Sequence, residues 1–101
     1  MLTEPRRKRR RKSERVPLEA DIVMRRAGLP GFRVRIEDIS PEGCRIEYID
    51  RPRPGERVWV KFDNLETIGA AVCWVRSPEA GIQFDTPIHP AVFASLVGTL
   101  R

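Results

Sequence analysis

Histidine occurs once and cysteine twice in these 101 residues, and that scarcity excludes most metal chemistry. A zinc site needs three or four protein ligands at chelating spacing. His89 has no such company, and Cys44 and Cys73 lie far apart in strand-like surroundings. His89, just before a proline, is expected as a helix-entry or surface residue. Long apolar runs are missing too. A membrane-spanning helix takes about 20 consecutive apolar residues, and no such run exists here. The positive N-terminus has no apolar segment behind it, so no secretory signal is expected and the chain is expected to be cytoplasmic. There, both cysteines are expected as reduced, half-buried thiols and not as a disulfide. The signatures G-x-S-x-G, P-loop and H-E-x-x-H are absent. Glu37 and Asp38 adjoin on a strand and are expected to point to opposite faces, which excludes a catalytic carboxylate pair. No enzyme, metal or cofactor is expected.

What is present is one small core's worth of apolar residues, 41% of the chain, which fits a single domain. The charge is unevenly placed. Residues 1–15 hold eight Lys/Arg and two Asp/Glu, and the stretch RRKRRRKSER (Arg6 to Arg15) carries nearly all of it. The formal net charge of +5 therefore belongs to the tail, and the remainder is close to neutral. A basic domain surface of the nucleic-acid type is not indicated. Residues 1–10 have nothing to bury and are expected to form a flexible, disordered basic tail.

From Val16 onward the period is mostly two. PLEADIVMRR (17–26) alternates Leu18, Ala20, Ile22 and Met24 with Glu19, Asp21, Val23 and Arg25. FRVRIEDIS (32–40), CRIEYI (44–49), RVWVKF (57–62), TIGAAVCWVR (67–76) and GIQF (81–84) complete six strands, with Gly69 as a candidate bulge. AGLPG, PEG, DRPRPGE, DNLE and SPEA are the turns and loops between them. The period then changes. Phe93, Leu96, Val97 and Leu100 fall at i, i+3, i+4 and i+7, one apolar helical face, with Pro90 suited to the first turn. The expected fold is all-β: a small six-stranded antiparallel barrel over residues 11–101, closed by a C-terminal helix.

EDISPEGC (37–44) contains D-x-S-x-x-G: Asp38, Ser40 and Gly43. Asp38 and Ser40 have the same parity and are expected on one face. Gly43 lets the backbone turn and a ligand approach closely. An ordinary hairpin, with Asp and Ser capping turn amides and Gly at positive φ, has the same composition. Upstream, Arg6/Arg10, Arg7/Arg11 and Arg11/Arg15 all satisfy R-x-x-x-R. Arginine offers a planar fork for phosphates and guanine edges.

R-x-x-x-R before a first strand, followed by D/N-x-S-x-x-G on a second hairpin, resembles the PilZ domain. VCWVR (72–76), a short turn, GIQF (81–84) and the closing helix resemble that family's second half. The likeness spans Arg11 to the C-terminus and implies a six-stranded barrel that binds cyclic di-GMP. It selects Arg11 and Arg15 as the arginine pair, because Arg15 abuts the first strand. Arg10 is then a neighbouring contact, and Arg7 a more distant one. The resemblance further implies that Asp38 accepts from guanine or orients an arginine, that Ser40 hydrogen-bonds, and that Gly43 keeps the turn open. Arg45, Trp74 and Arg76 are additional candidates, the latter two for stacking. The tail is expected to order across the barrel on binding and so to signal to a protein partner in motility, polysaccharide or transcription control. Two alternatives accompany this reading: non-specific nucleic-acid binding through the tail, and a ligand-free PilZ-like docking module.

Overall fold

The structure, a computed structural model, describes residues 15–101. Arg7, Arg10, Arg11 and the tail expected to be disordered lie outside the described residues. Alternating polar and apolar side chains build six strands: β1 (Val16–Arg26), β2 (Phe32–Ser40), β3 (Gly43–Glu47), β4 (Arg57–Lys61), β5 (Ile68–Arg76) and β6 (Glu79–Phe84). In β1, Leu18, Ile22 and Met24 are buried while Glu19, Asp21 and Arg25 face water. The strands pair antiparallel in the closed order β1-β2-β3-β6-β5-β4. Among the described residues, closure leaves no unpaired sheet edge. Inside, Ile36, Ile39, Ile46, Val58, Val60, Phe62 and Ala70 are fully excluded from water. Phe62 and Phe84 meet edge to face at 6.1 Å.

Two strand limits differ from the sequence expectation by two residues, and four others by one. β6 begins at Glu79, so the turn before it shrinks to Ser77-Pro78, joined by a cis peptide. β3 ends at Glu47, although the Tyr48 N–H still donates to Pro78 O at 3.0 Å. The bulge expected at Gly69 is not there: Gly69 pairs in register with Trp59, and the Arg57–Asp85 pair lies against its bare Cα. The register instead shifts between Pro17 and Ala20, between Ile36 and Asp38, and between Val72 and Trp74.

The helix α1 (Pro90–Leu100) starts at an N-cap, His89, whose Nδ1 accepts the Ala91 N–H at 3.0 Å. Pro90 costs nothing in the first turn, where its missing N–H would be unpaired anyway. Leu96 is buried, and Phe93, Val97 and Leu100 pack beside it on the barrel core. The approach to α1 is tied to the β2–β3 turn: Ile88 N–H donates to Pro41 O and Phe84 N–H to Glu42 O, both at 2.8 Å.

Candidate functional site

Asp38 ends up buried near the finish of β2, with each carboxylate oxygen facing a different arginine. Arg15, just ahead of β1, donates from Nε to Oδ1 at 3.1 Å and sets Nη2 at 2.9 Å from the same oxygen. Arg45, directly opposite on β3, brings Nε to 3.1 Å from Oδ2. The Asp38 side chain is 11% exposed and that of Arg15 48%. The acceptor is therefore fixed by burial while one of its cations reaches into solvent.

A β-bulge creates this arrangement. Ile36 pairs with Ile46 and Asp38 with Arg45, so Glu37 is an extra residue on β2. Ile36 and Ile39 both enter the core, and Glu37 and Asp38 both stay outside it beside Arg45. The expectation that Glu37 and Asp38 point to opposite faces is thus wrong, because the inserted residue cancels the two-residue alternation. Arg45 is shared by three carboxylates, with Glu37 Oε1 and Glu79 Oε1 each at 3.5 Å. Arg45 Nη1 donates a long hydrogen bond to Glu79 Oε1, but among the described residues buried Arg45 Nε and Glu37 Oε1 have no aligned hydrogen-bond partner, so the pairs made by Nε act through charge. The Glu37 carboxyl is held above the ordinary carboxylate range, first by a hydrogen bond with Glu79, then by burial and Glu79's charge, with Arg45 opposing.

Ser40 is buried in the turn below. Its hydroxyl accepts the Glu42 N–H and donates to Glu42 Oε1, each at 3.3 Å. Gly43 does not have positive φ. A Cβ there would stand 2.1 Å from Ile82 O, so glycine is demanded by the close approach of β6. Asp38 and Ser40 leave the barrel core on the side opposite Ile39, consistent with their shared parity.

A second bulge shapes the neighbouring strands. Val72 pairs with Ile82 and Trp74 with Gly81, leaving Cys73 as the extra residue. The Trp74 indole lies against Gly81, where a Cβ would come within 2.1 Å of Nε1. Arg76 stacks over the Trp74 ring at 5.4 Å. Both cysteines are free, but neither is half-buried. Cys44 faces the core, and burial first, then the Asp38 charge, pushes its thiol up to about 12. Cys73, carried outward by the bulge, is exposed, and its Sγ–H donates to Gly81 O at 3.3 Å.

Of the residues singled out by sequence, the structure brings Arg15, Asp38, Ser40, Gly43 and Arg45 to one corner and sets Trp74 and Arg76 together on β5. Arg7, Arg10 and Arg11 lie outside the described residues. Glu37, Glu79 and Gly81 were not foreseen as neighbours of these groups. A readable signal existed: two core-type residues three apart, Ile36/Ile39 and Val72/Val75, mark the bulges inside otherwise alternating strands. Chemically, the corner offers guanidinium forks for anionic oxygens, a fixed carboxylate for paired N–H donors and an indole for stacking.

A family model described as the PilZ domain matches residues 9–100. Among solved structures, the PilZ domain of CeSA from a cellulose-synthesizing bacterium is similar in fold. It has a TM-score of 0.59 at 16% identity, with 87% of this chain and 95% of that one covered. No curated protein matches the sequence. With nearly its whole length matched by the family model, and the barrel-and-helix architecture reached independently from its residues, the chain belongs to the PilZ domain family, a family known to bind cyclic di-GMP.

Proposed function

We propose that this chain is a cyclic di-GMP receptor, a binding protein and not an enzyme, whose ligand sits on the Arg15–Asp38–Ser40 corner. The observation that carries the reading is the buried Asp38 carboxylate with Arg15 and Arg45 on its two oxygens. Cyclic di-GMP is a dianion bearing two guanines. Guanine presents N1–H and N2–H₂ to a carboxylate, and O6 and N7 to an arginine fork. Asp38 suits the first role and Arg15 the second. Arg15 is half-exposed, so it can turn from Asp38 towards a phosphate or base edge while the buried carboxylate keeps Arg45 as its partner. Arg45 then stays on Asp38 Oδ2 and holds the carboxylate in place.

Arg11 lies one R-x-x-x-R step before Arg15 and completes the clamp, with Arg10 adjacent and Arg7 further out. Trp74 and Arg76 offer a stacking platform for a base, and Gly43 fixes the turn carrying Ser40. Ordering of the Arg-rich segment across the barrel costs backbone entropy, about 1–2 kcal/mol per residue, which charge-assisted hydrogen bonds offset. The ordered segment is the signal presented to an effector protein.

Calorimetric titration of the full chain with cyclic di-GMP tests this reading. Micromolar or tighter binding is expected, with Arg15→Ala and Asp38→Ala each losing most of it. No heat at millimolar nucleotide would overturn the ligand assignment, and full affinity in both variants would overturn the site. A steep salt-dependent affinity for any nucleic acid, with no preference for cyclic di-GMP, would move the function to the basic tail.

A further inference from the structure

The helix α1, PAVFASLVGTL, contains no charged residue in a chain that is 33% charged. Leu96 is its one buried residue. Val92 remains 39% exposed. A helix so uncharged ordinarily sinks one face into a core and covers the rest with polar groups. Here its open flank borders a groove instead. Between α1 and the β4–β5 loop runs a cleft of about 530 Å³ floored by Leu65, Ile68, Pro87, Ile88 and Val92. A second cleft of about 340 Å³ continues it along α1 past Leu65, Val92 and Leu96. Leu65 and Val92 line both, so the two form one trough.

The charged side chains that line this trough are acidic, and the two cations at its border are engaged, Arg57 by Asp85 and Lys61 by the Leu65 carbonyl. Asp63, Glu66 and Asp85 line it, and among the described residues no lysine or arginine does. Asp85 is engaged by Arg57 through two hydrogen bonds of 2.7 and 2.6 Å. Asp63 and Glu66 are exposed and form no ion pair among the described residues.

We propose that this trough docks an amphipathic helical segment of a partner protein, apolar on one face and flanked by lysine or arginine. Apolar anchors at i, i+3 or i+4, and i+7 would fill the floor, as in helix-in-groove recognition. Basic flanks would meet Asp63 and Glu66. A purely acidic or nucleic-acid partner has neither match. The proposal stands apart from the reading of the Asp38 corner, since docking is measured without nucleotide.

The test uses the full chain and a fluorescein-labelled 14-residue Leu/Lys peptide with its leucines on one helical face. Its control is the same composition scrambled so that the leucines encircle the helix. Anisotropy should show saturable binding of the first peptide, with the scrambled one weaker by about tenfold or more. Val92→Glu, and separately the double variant Asp63→Lys/Glu66→Lys, should each weaken it about tenfold, near 1.4 kcal/mol. Circular dichroism and melting temperature report that each variant is folded, and a parallel cyclic di-GMP titration keeps failure here distinct from failure at Asp38. Equal affinity for both peptides, no binding, or indifference to both variants would overturn the proposal. So would a dimer in sedimentation that Val92→Glu dissociates without any peptide binding, since the trough would then belong to a second copy.

Discussion

Asp38 depends on two arginines, and they on it. Replacing it by asparagine keeps the shape but removes the charge shared by Arg15 and Arg45. Hydrogen bonds to a charged group are worth about 1.5–3 kcal/mol, so Asp38→Asn should weaken cyclic di-GMP by roughly tenfold to a hundredfold in a direct titration. The two glycines of this region separate stability from binding. At Gly43 an added methyl meets the Ile82 carbonyl, which is backbone and cannot step aside. Gly43→Ala should therefore cost about 3 kcal/mol in urea denaturation, the upper end for an overpacked site. At Gly81 the obstacle is the Trp74 indole, a side chain that can swing away. Gly81→Ala should cost less stability than Gly43→Ala but displace the stacking platform, and so lower ligand affinity. Equal losses of stability in the two variants would contradict this division.

At the scale of elements, strand alternation is legible because one face is dry and the other wet, and a period of two follows. All six strands were readable for this reason, and the helix from its own 3.6 period; Arg15 was set beside Asp38, Ser40 and Gly43 by the motif resemblance and not by alternation. The bulges were not readable in this way, because one added residue changes the register without changing composition. That missing residue count hid Glu37 beside Asp38 and turned Cys73 outward. It also hid the Glu37–Arg45–Glu79 cluster, which needs β2, β3 and β6 in their true registers. The helix offers a separate check. Leu96 is its single buried anchor, so Leu96→Ala should cost about 3 kcal/mol by loss of packing and creation of a cavity. His89→Ala should cost about 1 kcal/mol through the lost cap. If Leu96→Ala left the melting temperature unchanged, α1 would not be part of the folded unit.

The whole molecule carries opposing carboxyl responses to pH. Glu56 holds Arg26 through Nε at 2.6 Å, and its pKa lies below the ordinary carboxylate value, first because of that hydrogen bond. A lowered folded pKa gives stability that is present above the unfolded value and lost as pH falls through the folded one. Glu37, raised by Glu79, has the reverse sign: its contribution is present below the ordinary value and lost as pH rises. Denaturation curves from pH 7 down to acid should thus show Glu56→Gln flattening the acid loss. It should also cost about 2 kcal/mol at neutral pH, as expected for charged hydrogen bonds in a mostly buried pair. Glu37→Gln should raise neutral-pH stability, because an amide can still hydrogen-bond Glu79 and adds no like charge beside it.

The backbone amide spectrum of the labelled full chain, recorded with and without one equivalent of cyclic di-GMP, tests the central claim most directly. The account predicts that the largest shifts fall on Arg15, Asp38, Ser40, Gly43 and Arg45, together with the Trp74 indole N–H. Saturable binding that moves only the residues before Arg15 and leaves this corner unshifted would contradict it.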